Sequence, residues 1–332
     1  MTIRVAINGL GRIGRATLKI LLDDPDFELV AINDLASAEN LAYLLKFDTV
    51  YGRYGKAVER RDAALSIDGK DYEVLSEHDP AQLPWDALGV DLVFECTGVF
   101  REREDLEKHV KSGAEYVILS APAKGGGVPT VVHGVNVPPE DARLISCASC
   151  TTNCITPVVE VMGRRVGIRK AIMTTVHAYT ASQAIVDGPA RKMRRGRAGA
   201  ANLVPTSTGA ATATGEALPQ YQGRFDGVAI RAPIPVGSIA DITFVTERPT
   251  DVGELSAIFR EEAESSRYLG ILGVTDEPIV SADIVGDSRA SVIDLESTQI
   301  VDGDLVKVMS WYDNEWGYAA QMVREAKRIT AS

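Results

Sequence analysis

Near its beginning the chain reads Ile3-Arg4-Val5-Ala6-Ile7-Asn8-Gly9-Leu10-Gly11-Arg12-Ile13-Gly14. The β-rich run up to Asn8 predicts a strand, and the residues after it predict a helix that ends at about Leu22. A strand, the pattern GxGxxG and a helix in this order are typical of a dinucleotide-binding turn, because glycines permit a tight turn and a close approach of the pyrophosphate. We therefore expect this turn to bind a dinucleotide through Gly9, Gly11, Arg12, Ile13 and Gly14.

An acidic residue follows the next predicted strand. The strand covers Phe27 to Asn33, and Asp34 comes 20 residues after Gly14, where an acid that binds a ribose 2′-hydroxyl is expected. Asp is also a common cap or turn residue, which is the alternative role. A carboxylate at this place repels a 2′-phosphate, so the pattern favours NAD and leaves NADP open.

The remaining pattern predicts two domains of different construction. Apolar β-branched runs at 90–96 and 116–119 are typical of parallel strands buried on both faces, and 51–84 reads as an antiparallel excursion. After residue 150, long β-rich segments predict an antiparallel sheet with helices near 202–218 and 251–267, and a final helix at 318–329. The predicted fold class is α/β: a doubly wound, mostly parallel (Rossmann) sheet domain plus an α+β catalytic domain with an antiparallel sheet.

The segment Ser149-Cys150-Thr151-Thr152-Asn153-Cys154 stands where a short strand, Arg143 to Ser146, gives way to a helix. Free amide groups and the helix dipole favour an anion at a helix N-terminus, which lowers the pKa of a thiol from its usual value of about 8.5. Cys150 is therefore a candidate nucleophile, and its two hydroxyl neighbours are candidate anion ligands. The plainer alternative is a cysteine packed in the core.

Composition limits the possible functions. The 332 residues are enough for two domains, and 45% hydrophobic with 24% charged residues is ordinary for a globular protein. A net charge of −11 argues against nucleic acid or an anionic membrane as the main partner. Four clustered cysteines do not resemble a disulfide framework, and no apolar run approaches spanning length. We expect a cytoplasmic protein without a metal site.

Five motifs, in register along nearly the whole chain, resemble the phosphorylating glyceraldehyde-3-phosphate dehydrogenases. They are Ile7 to Arg15, Ser149 to Cys154, Val176-His177-Ala178-Tyr179-Thr180, Ser207-Thr208-Gly209-Ala210-Ala211, and Trp311 to Tyr318. The resemblance implies an NAD-binding Rossmann domain at 1–149, joined by a C-terminal helix at 316–332, and a catalytic domain at 150–315. It also implies a homotetramer.

The resemblance also assigns site residues. His177 becomes the partner of Cys150: its imidazolium would stabilise the thiolate, and its neutral form would accept the proton of the hemithioacetal hydroxyl. Thr97 and Ser120 match positions beside the cofactor, and Asn314 matches the residue that fixes the nicotinamide carboxamide. His78 stands where many members have Arg near the adenine. The phosphate of the sugar is assigned to Thr180 and Arg231, and the attacking phosphate to Ser149, Thr151, Thr208, Gly209 and Arg195.

The segment at 191–197, Arg-Lys-Met-Arg-Arg-Gly-Arg, places five cations in seven residues of an acidic chain. A nucleic-acid patch is disfavoured because aromatic residues are not interleaved, and a solvated loop is the plain alternative. A guide for phosphate fits better, since the guanidinium fork matches phosphate oxygens. The family resemblance makes Arg195 the preferred ligand, with Arg194 and Arg197 left as alternatives.

By resemblance the reaction is the oxidative phosphorylation of D-glyceraldehyde 3-phosphate to 1,3-bisphosphoglycerate. Cys150 forms a hemithioacetal, a hydride passes to NAD, and inorganic phosphate cleaves the thioester. One alternative is another phosphorylating aldehyde dehydrogenase, such as one that acts on erythrose 4-phosphate, and a second is an NADP-preferring biosynthetic form. From another class, a noncatalytic nucleotide-binding or RNA-binding protein is disfavoured by the retained Cys150 and His177.

Overall fold

The computed structural model describes residues 2–331, which form two compact units. The first unit contains residues 2–131, 138–148 and 322–331, and the second contains 132–137 and 149–321. The last helix of the chain begins in the second unit and continues in the first.

The first unit is built on an eight-stranded sheet. Its strands, with a separate short pair β3 and β4, are β1 (Ile3–Asn8), β2 (Phe27–Asn33), β3 (Phe47–Asp48), β4 (Gly52–Arg53), β5 (Val58–Arg61), β6 (Ala64–Ile67), β7 (Lys70–Leu75), β8 (Leu92–Glu95), β9 (Tyr116–Leu119) and β10 (Leu144–Ser146). Its complete helices are α1 (Arg12–Leu22), α2 (Ala38–Lys46), α3 (Trp85–Leu88) and α4 (Arg103–Lys111).

The strand order of this sheet is β10-β9-β8-β1-β2-β7-β6-β5. The strands from β10 to β7 are parallel, and β6 and β5 continue the sheet as the predicted antiparallel excursion. The order changes direction beside β1, which pairs with both β2 and β8. Ligands of doubly wound sheets bind at the carboxyl ends of the strands at such a switch point. The doubly wound, mostly parallel sheet is confirmed.

The second unit carries a seven-stranded sheet in the order β12-β13-β11-β14-β17-β16-β15. Its strands are β11 (Ile168–Ala178), β12 (Val204–Ser207), β13 (Phe225–Ala232), β14 (Ser238–Thr246), β15 (Leu272–Thr275), β16 (Ser291–Val301) and β17 (Leu305–Tyr312). The sheet is mixed, because β11 with β13 and β15 with β16 are parallel while the other neighbours are antiparallel.

Three α-helices of this unit accompany the sheet: α5 (Cys150–Arg165), α6 (Ala210–Ala217) and α7 (Val252–Glu264). The last helix, α8 (Trp316–Thr330), begins in this unit and continues in the first. One core joins buried side chains of α5 and α7, such as Val158 and Phe259, to the sheet residues Phe244 and Val308. In β14 burial alternates along the strand, as expected for a sheet with one face on the core. The helix expected near 202–218 begins only at Ala210, because Val204–Ser207 pairs with β13 as a strand.

Candidate active site

The turn between β1 and α1 needs glycine at two of its three positions. Gly9 has φ +93°, and a Cβ placed there would lie 2.7 Å from the amide nitrogen of Thr97. A Cβ at Gly14 would lie 2.0 Å from the carbonyl oxygen of Gly9. A Cβ at Gly11 would meet nothing within 4 Å. The turn is thus closed by Gly9 and Gly14 and open above Gly11, where a pyrophosphate could approach the backbone.

Asp34 braces this turn from the end of β2. One carboxylate oxygen accepts a hydrogen bond of 2.7 Å from the amide of Leu10, and the other accepts one of 2.8 Å from the amide of Ala36. The second bond is the local turn that the alternative role predicts. The carboxylate is only half-buried, so both roles, bracing the turn and meeting a ribose, are compatible with its position.

A cleft of about 370 Å³ lies at the carboxyl ends of the first unit's parallel strands. Its lining includes five residues that the sequence assigned to the cofactor: Gly9, Gly11, Asp34, His78 and Thr97. Ile13 follows in the first turn of α1, and Ser120 lies directly after β9, where it hydrogen-bonds the Cys96 thiol. Arg12 is engaged elsewhere: its guanidinium pairs with the buried carboxylate of Asp48. The structure therefore gathers most of the predicted cofactor residues of this unit.

The second unit brings the predicted nucleophile and base together. Cys150 is the first residue of α5, and its sulfur lies 3.3 Å from Nε2 of His177, which stands near the end of β11. Ser149 caps α5 by accepting a hydrogen bond of 3.1 Å from the amide of Thr152. The pair has the geometry that proton transfer between a nucleophile and a base requires, given the larger radius of sulfur.

The other edge of the His177 ring is held by its surroundings. Nδ1 lies 2.7 Å from the carbonyl oxygen of Ala178, which only accepts, and it also faces the guanidinium of Arg231, which only donates. These contacts hold the ring in place without fixing which ring nitrogen carries the proton. The guanidinium of Arg231 touches the same edge and also donates to Ala178. Burial, and then the charge of Arg231, lower the pKa of His177 to about 3. The imidazole is therefore neutral at pH 7.

The expected depression of the Cys150 pKa is not found. Burial raises the pKa of this thiol, while the charge of Arg231 and the hydrogen bonds of Thr151 act in the opposite direction. The helix N-terminus does not overcome the loss of hydration, and a neutral His177 adds no positive charge. In this structure the resting pair is thus a thiol and a neutral imidazole, in place of the predicted thiolate and imidazolium.

The predicted anion ligands of the second unit differ in the contacts they already make. Thr151 is buried, and its hydroxyl lies 2.9 Å from the Tyr312 hydroxyl. Thr208 accepts from the amide of Ala210, and Thr180 lies 2.9 Å from the hydroxyl of Ser182. A Cβ at Gly209 would meet nothing within 4 Å, so the backbone before α6 is open.

The basic segment at 191–197 presents its arginines differently. Arg195 is half-buried, donates to the Thr206 hydroxyl at 3.0 Å and lies close enough to lower the pKa of His177. Arg194 is exposed, and Arg197 forms a 2.6 Å ion pair with Asp187. Of these three arginines, Arg195 is the one whose charge acts on His177.

Arg231 has an unpaired hydrogen-bond donor within the described residues. Its Nε atom is buried and has no hydrogen-bond partner among residues 2–331. An orphaned buried donor on a cation costs free energy unless a ligand satisfies it. Arg231 therefore has the chemistry expected of an anion ligand, beside the imidazole of His177.

Tyr312 is a site residue to which the sequence assigned no role, although it lies within the quoted motif 311–318. Its ring meets His177 edge to face at 5.9 Å, and its hydroxyl lies 2.9 Å from Thr151 and 2.8 Å from Thr175. Asn314, two residues on, accepts hydrogen bonds from the Ser238 hydroxyl and the Gly237 amide. Both residues are held firmly, which leaves the amide nitrogen of Asn314 as its donor for a ligand.

Residues 2–331 lack two features that other kinds of protein depend on. No helix there is long and apolar enough to cross a membrane. No group of three or more His, Cys, Asp or Glu side chains there is placed to hold a metal ion.

A glycine turn at the switch point of a doubly wound sheet, together with a cysteine against a neutral histidine, defines the class: a dinucleotide-dependent dehydrogenase with a thiol nucleophile. Family comparison gives the particular group. Residues 3–103 match the glyceraldehyde 3-phosphate dehydrogenase NAD binding domain, and residues 149–314 match the C-terminal domain of the same family. The chain belongs to the glyceraldehyde 3-phosphate dehydrogenase family.

Full-length relatives agree with this assignment. A glyceraldehyde-3-phosphate dehydrogenase of Streptomyces coelicolor is 46% identical over 327 residues, which cover 97% of each chain. That of Thermotoga maritima is 49% identical over 325 residues, 96% of this chain and 97% of the relative. That of Geobacillus stearothermophilus is 45% identical over 334 residues, 100% of this chain and 99% of the relative.

Proposed function

We propose that this chain catalyses the NAD-dependent oxidative phosphorylation of D-glyceraldehyde 3-phosphate to 1,3-bisphosphoglycerate. The observation that carries the proposal is the 3.3 Å contact between the Cys150 sulfur and His177 Nε2, with Arg231 against the Nδ1 edge of the imidazole and Arg195 near enough for its charge to act on His177. Cys150 is the nucleophile and His177 the base of this arrangement, and Arg231 and Arg195 are the cations for phosphate. The relatives described above bear the name of this activity.

The neutral pair performs the first step without a preformed thiolate. Nε2 of His177 takes the thiol proton as the sulfur of Cys150 bonds to the aldehyde carbon, and the proton passes to the aldehyde oxygen to give a hemithioacetal. In the oxidation Nε2 takes the hydroxyl proton, and a thioester remains on Cys150. Inorganic phosphate then attacks the thioester carbon, the thiolate leaves, and His177 returns the proton to sulfur. NAD, when bound, supplies the hydride acceptor.

The phosphate groups have candidate ligands in the second unit. Arg231, with its unpaired buried Nε, and Thr180 support the assignment to the phosphate of the sugar. Arg195, Thr208 and Gly209 support the assignment to the attacking phosphate. The hydroxyls of Ser149 and Thr151 already bond to the hydroxyls of Thr152 and Tyr312. These two residues therefore contribute to the phosphate site through their position at the start of α5.

The residues of the first unit fit NAD. The open approach at Gly11 would receive the pyrophosphate, and the half-buried carboxylate of Asp34 would accept from a ribose hydroxyl and disfavour a 2′-phosphate. Thr97 and His78 line the same cleft, and Ser120 follows β9 beside Cys96. In the second unit, Asn314 would donate its amide to the nicotinamide carboxamide.

Two further points belong to the proposal. A homotetramer is expected from the family resemblance, and sedimentation velocity at micromolar concentration tests it directly. A cytoplasmic location is expected because four free thiols suit a reducing compartment.

The test is a set of initial rates in which reduced nicotinamide is followed with glyceraldehyde 3-phosphate, phosphate and either NAD or NADP. Erythrose 4-phosphate serves as the competing aldehyde. We expect phosphate-dependent rates with the triose and NAD that exceed those of the other combinations. Higher rates with NADP would overturn the cofactor assignment alone, and the absence of phosphate-dependent turnover with any aldehyde would overturn the proposed activity.

A further inference from the structure

A buried polar network lies beneath the cofactor cleft of the first unit. At its centre is Glu95, the last residue of β8, which is fully buried. One carboxylate oxygen accepts from Asn8 Nδ2 at 2.5 Å and from His109 Nε2 at 3.1 Å. The other accepts from the amide of Thr97 at 2.8 Å and from the Thr97 hydroxyl. Four donors therefore converge on one carboxylate, which is the full accepting capacity of an ionised Glu.

Two of these donors cannot reverse their roles. The Trp85 indole donates to His109 Nδ1 at 3.0 Å, and because an indole nitrogen only donates, that ring nitrogen carries no proton. His109 is consequently the neutral tautomer with its proton on Nε2, directed to Glu95.

Asn8 is fixed in a similar way through Asn33. The backbone of Glu77 donates to Asn33 Oδ1 at 2.8 Å and accepts from Asn33 Nδ2 at 2.9 Å, which settles the orientation of that amide. Asn33 Nδ2 then donates to Asn8 Oδ1 at 2.7 Å, so Nδ2 of Asn8 must be the atom that faces Glu95. The network thus ties together the carboxyl ends of β1, β2 and β8, the three strands at the switch point.

This network determines which hydrogen bonds Thr97, a residue that lines the cleft, can still form. Its hydroxyl proton is committed to Glu95, and its oxygen already accepts from the amide of Val99 at 3.1 Å. The one hydrogen-bonding capacity left on this hydroxyl is a lone pair. Thr97 can therefore offer a ligand an acceptor and not a donor.

We propose that Glu95 is a positioning residue for the cofactor: by binding the Thr97 hydroxyl proton, it makes Thr97 a hydrogen-bond acceptor for a donor group of NAD. Trp85, His109, Asn8 and Asn33 hold Glu95 in the state that does this. The inference rests on the proposed NAD dependence and adds to it a residue that does not line the cleft itself.

The substitution Glu95→Gln separates this role from a structural one. The new amide would place its NH₂ against donors, because Asn8, His109 and the backbone amide of Thr97 cannot become acceptors. The Thr97 hydroxyl is the one partner that can rotate, so it would accept from Gln and turn its proton into the cleft. The side-chain size is unchanged, while the polarity that Thr97 offers to the cofactor is reversed.

The experiment is a double-mutant cycle on the full-length chain, with the dissociation constant for NAD measured by titration calorimetry. We expect Glu95→Gln and Thr97→Val each to weaken NAD about fivefold or more, the scale of one lost hydrogen bond. In the Thr97→Val background, Glu95→Gln should add less than about twofold, because the hydroxyl it acts through is gone. Equal effects of Glu95→Gln in both backgrounds, or no effect in the wild-type background, would overturn the proposal.

Control variants distinguish a failure of this proposal from a loss of stability and from a failure of the proposed NAD dependence. Glu325→Gln changes another fully buried carboxylate of the same unit that does not line the cleft, so it should lower the unfolding midpoint without weakening NAD. If Glu95→Gln fails to fold, Thr97→Ser against Thr97→Val still decides: NAD affinity that is the same in wild type, Ser and Val overturns the proposal. A wild-type chain that binds no NAD would instead count against the proposed function.

Discussion

Arg231 holds its guanidinium against the Nδ1 edge of His177, across the parallel pairing of β13 with β11. A fixed cation at this edge disfavours a second positive charge on the imidazole, and burial acts in the same direction. The imidazole is thereby kept neutral beside the Cys150 sulfur. The same cation favours the thiolate once the proton has left sulfur.

The pH dependence of folding tests this neutral state. The pKa of His177 is lowered to about 3 from an ordinary value of 6.5, so between these pH values the unfolded chain binds a proton that the folded chain does not. Residue 177 therefore reduces stability as pH falls from 6.5 toward 3 and has no effect on the pH dependence above 6.5. We expect the free energy of unfolding to decline less steeply with acid in His177→Gln than in wild type. Parallel curves over that range would contradict a buried neutral histidine.

The charge of Arg231 should also be visible in the reactivity of Cys150. Because Arg231 opposes the rise in the pKa of the thiol, Arg231→Gln should raise that pKa further. The measurement is the rate of alkylation by iodoacetamide against pH, which should shift to higher pH in the variant. Arg194→Gln, which removes an exposed charge from the basic segment, is the matched control and should leave the profile in place. A shift of equal size in both variants would mean that Arg231 has no specific effect.

The four cysteines should differ in reactivity. Burial raises the pKa of Cys96 and of Cys154 to about 12 and raises the pKa of Cys147 well above its usual value. Cys147 and Cys154 are also nearly inaccessible. Cys150 is half-buried, and its pKa is raised but opposed by Arg231. After brief alkylation at pH 8, peptide mass spectrometry should find the label on Cys150 first. Early labelling of Cys147 or Cys154 would contradict this order of reactivity.

The sequence predicts the local elements well where pattern and function coincide. The bounds of β1, α1 and β2 follow from the GxGxxG turn, and Cys150 does begin a helix. Parallel pairing within the second sheet was missed because β11 and β13 lie far apart in the chain and hydropathy carries no information on strand direction. The shift in the Cys150 pKa was predicted with the wrong sign, since a sequence shows a helix start but not how deeply burial removes water from the sulfur.

The roles of individual residues, like the elements, are only partly visible in the sequence. The exposure of Arg194 and the pairing of Arg197 with Asp187 favour Arg195 as the phosphate ligand, and the sequence shows neither of them. Glu95, His109 and Trp85 are separated along the chain and lie in elements that read as ordinary core. Only the fold brings them together beneath Thr97.

The glycine turn offers a matched pair of substitutions. Gly14→Ala forces a Cβ to within 2.0 Å of the Gly9 carbonyl oxygen, so the turn must open, and we expect a loss of about 1 to 3 kcal/mol or more in the free energy of unfolding. Gly11→Ala meets nothing in the folded chain and should leave stability nearly unchanged. It should nevertheless weaken NAD, because the methyl group occupies the space above the backbone that the pyrophosphate needs. Calorimetry and thermal unfolding of both variants separate the two effects, and unweakened NAD binding by Gly11→Ala would contradict a pyrophosphate at this turn.

The division of labour between Cys150 and His177 is tested by their separate removal. Cys150→Ser replaces the nucleophile by a hydroxyl, so turnover should fall to the assay background while the dissociation constant for NAD changes little. His177→Asn removes a general base, which typically contributes about 10² to 10⁴ in rate, and should slow the steps in which a proton leaves sulfur or the hemithioacetal hydroxyl. Because His177 is neutral at rest, its loss should leave the alkylation profile of Cys150 nearly unchanged in the absence of substrate. A large upward shift of that profile in His177→Asn would show instead that the histidine is charged and stabilises a thiolate, as the family resemblance alone suggests.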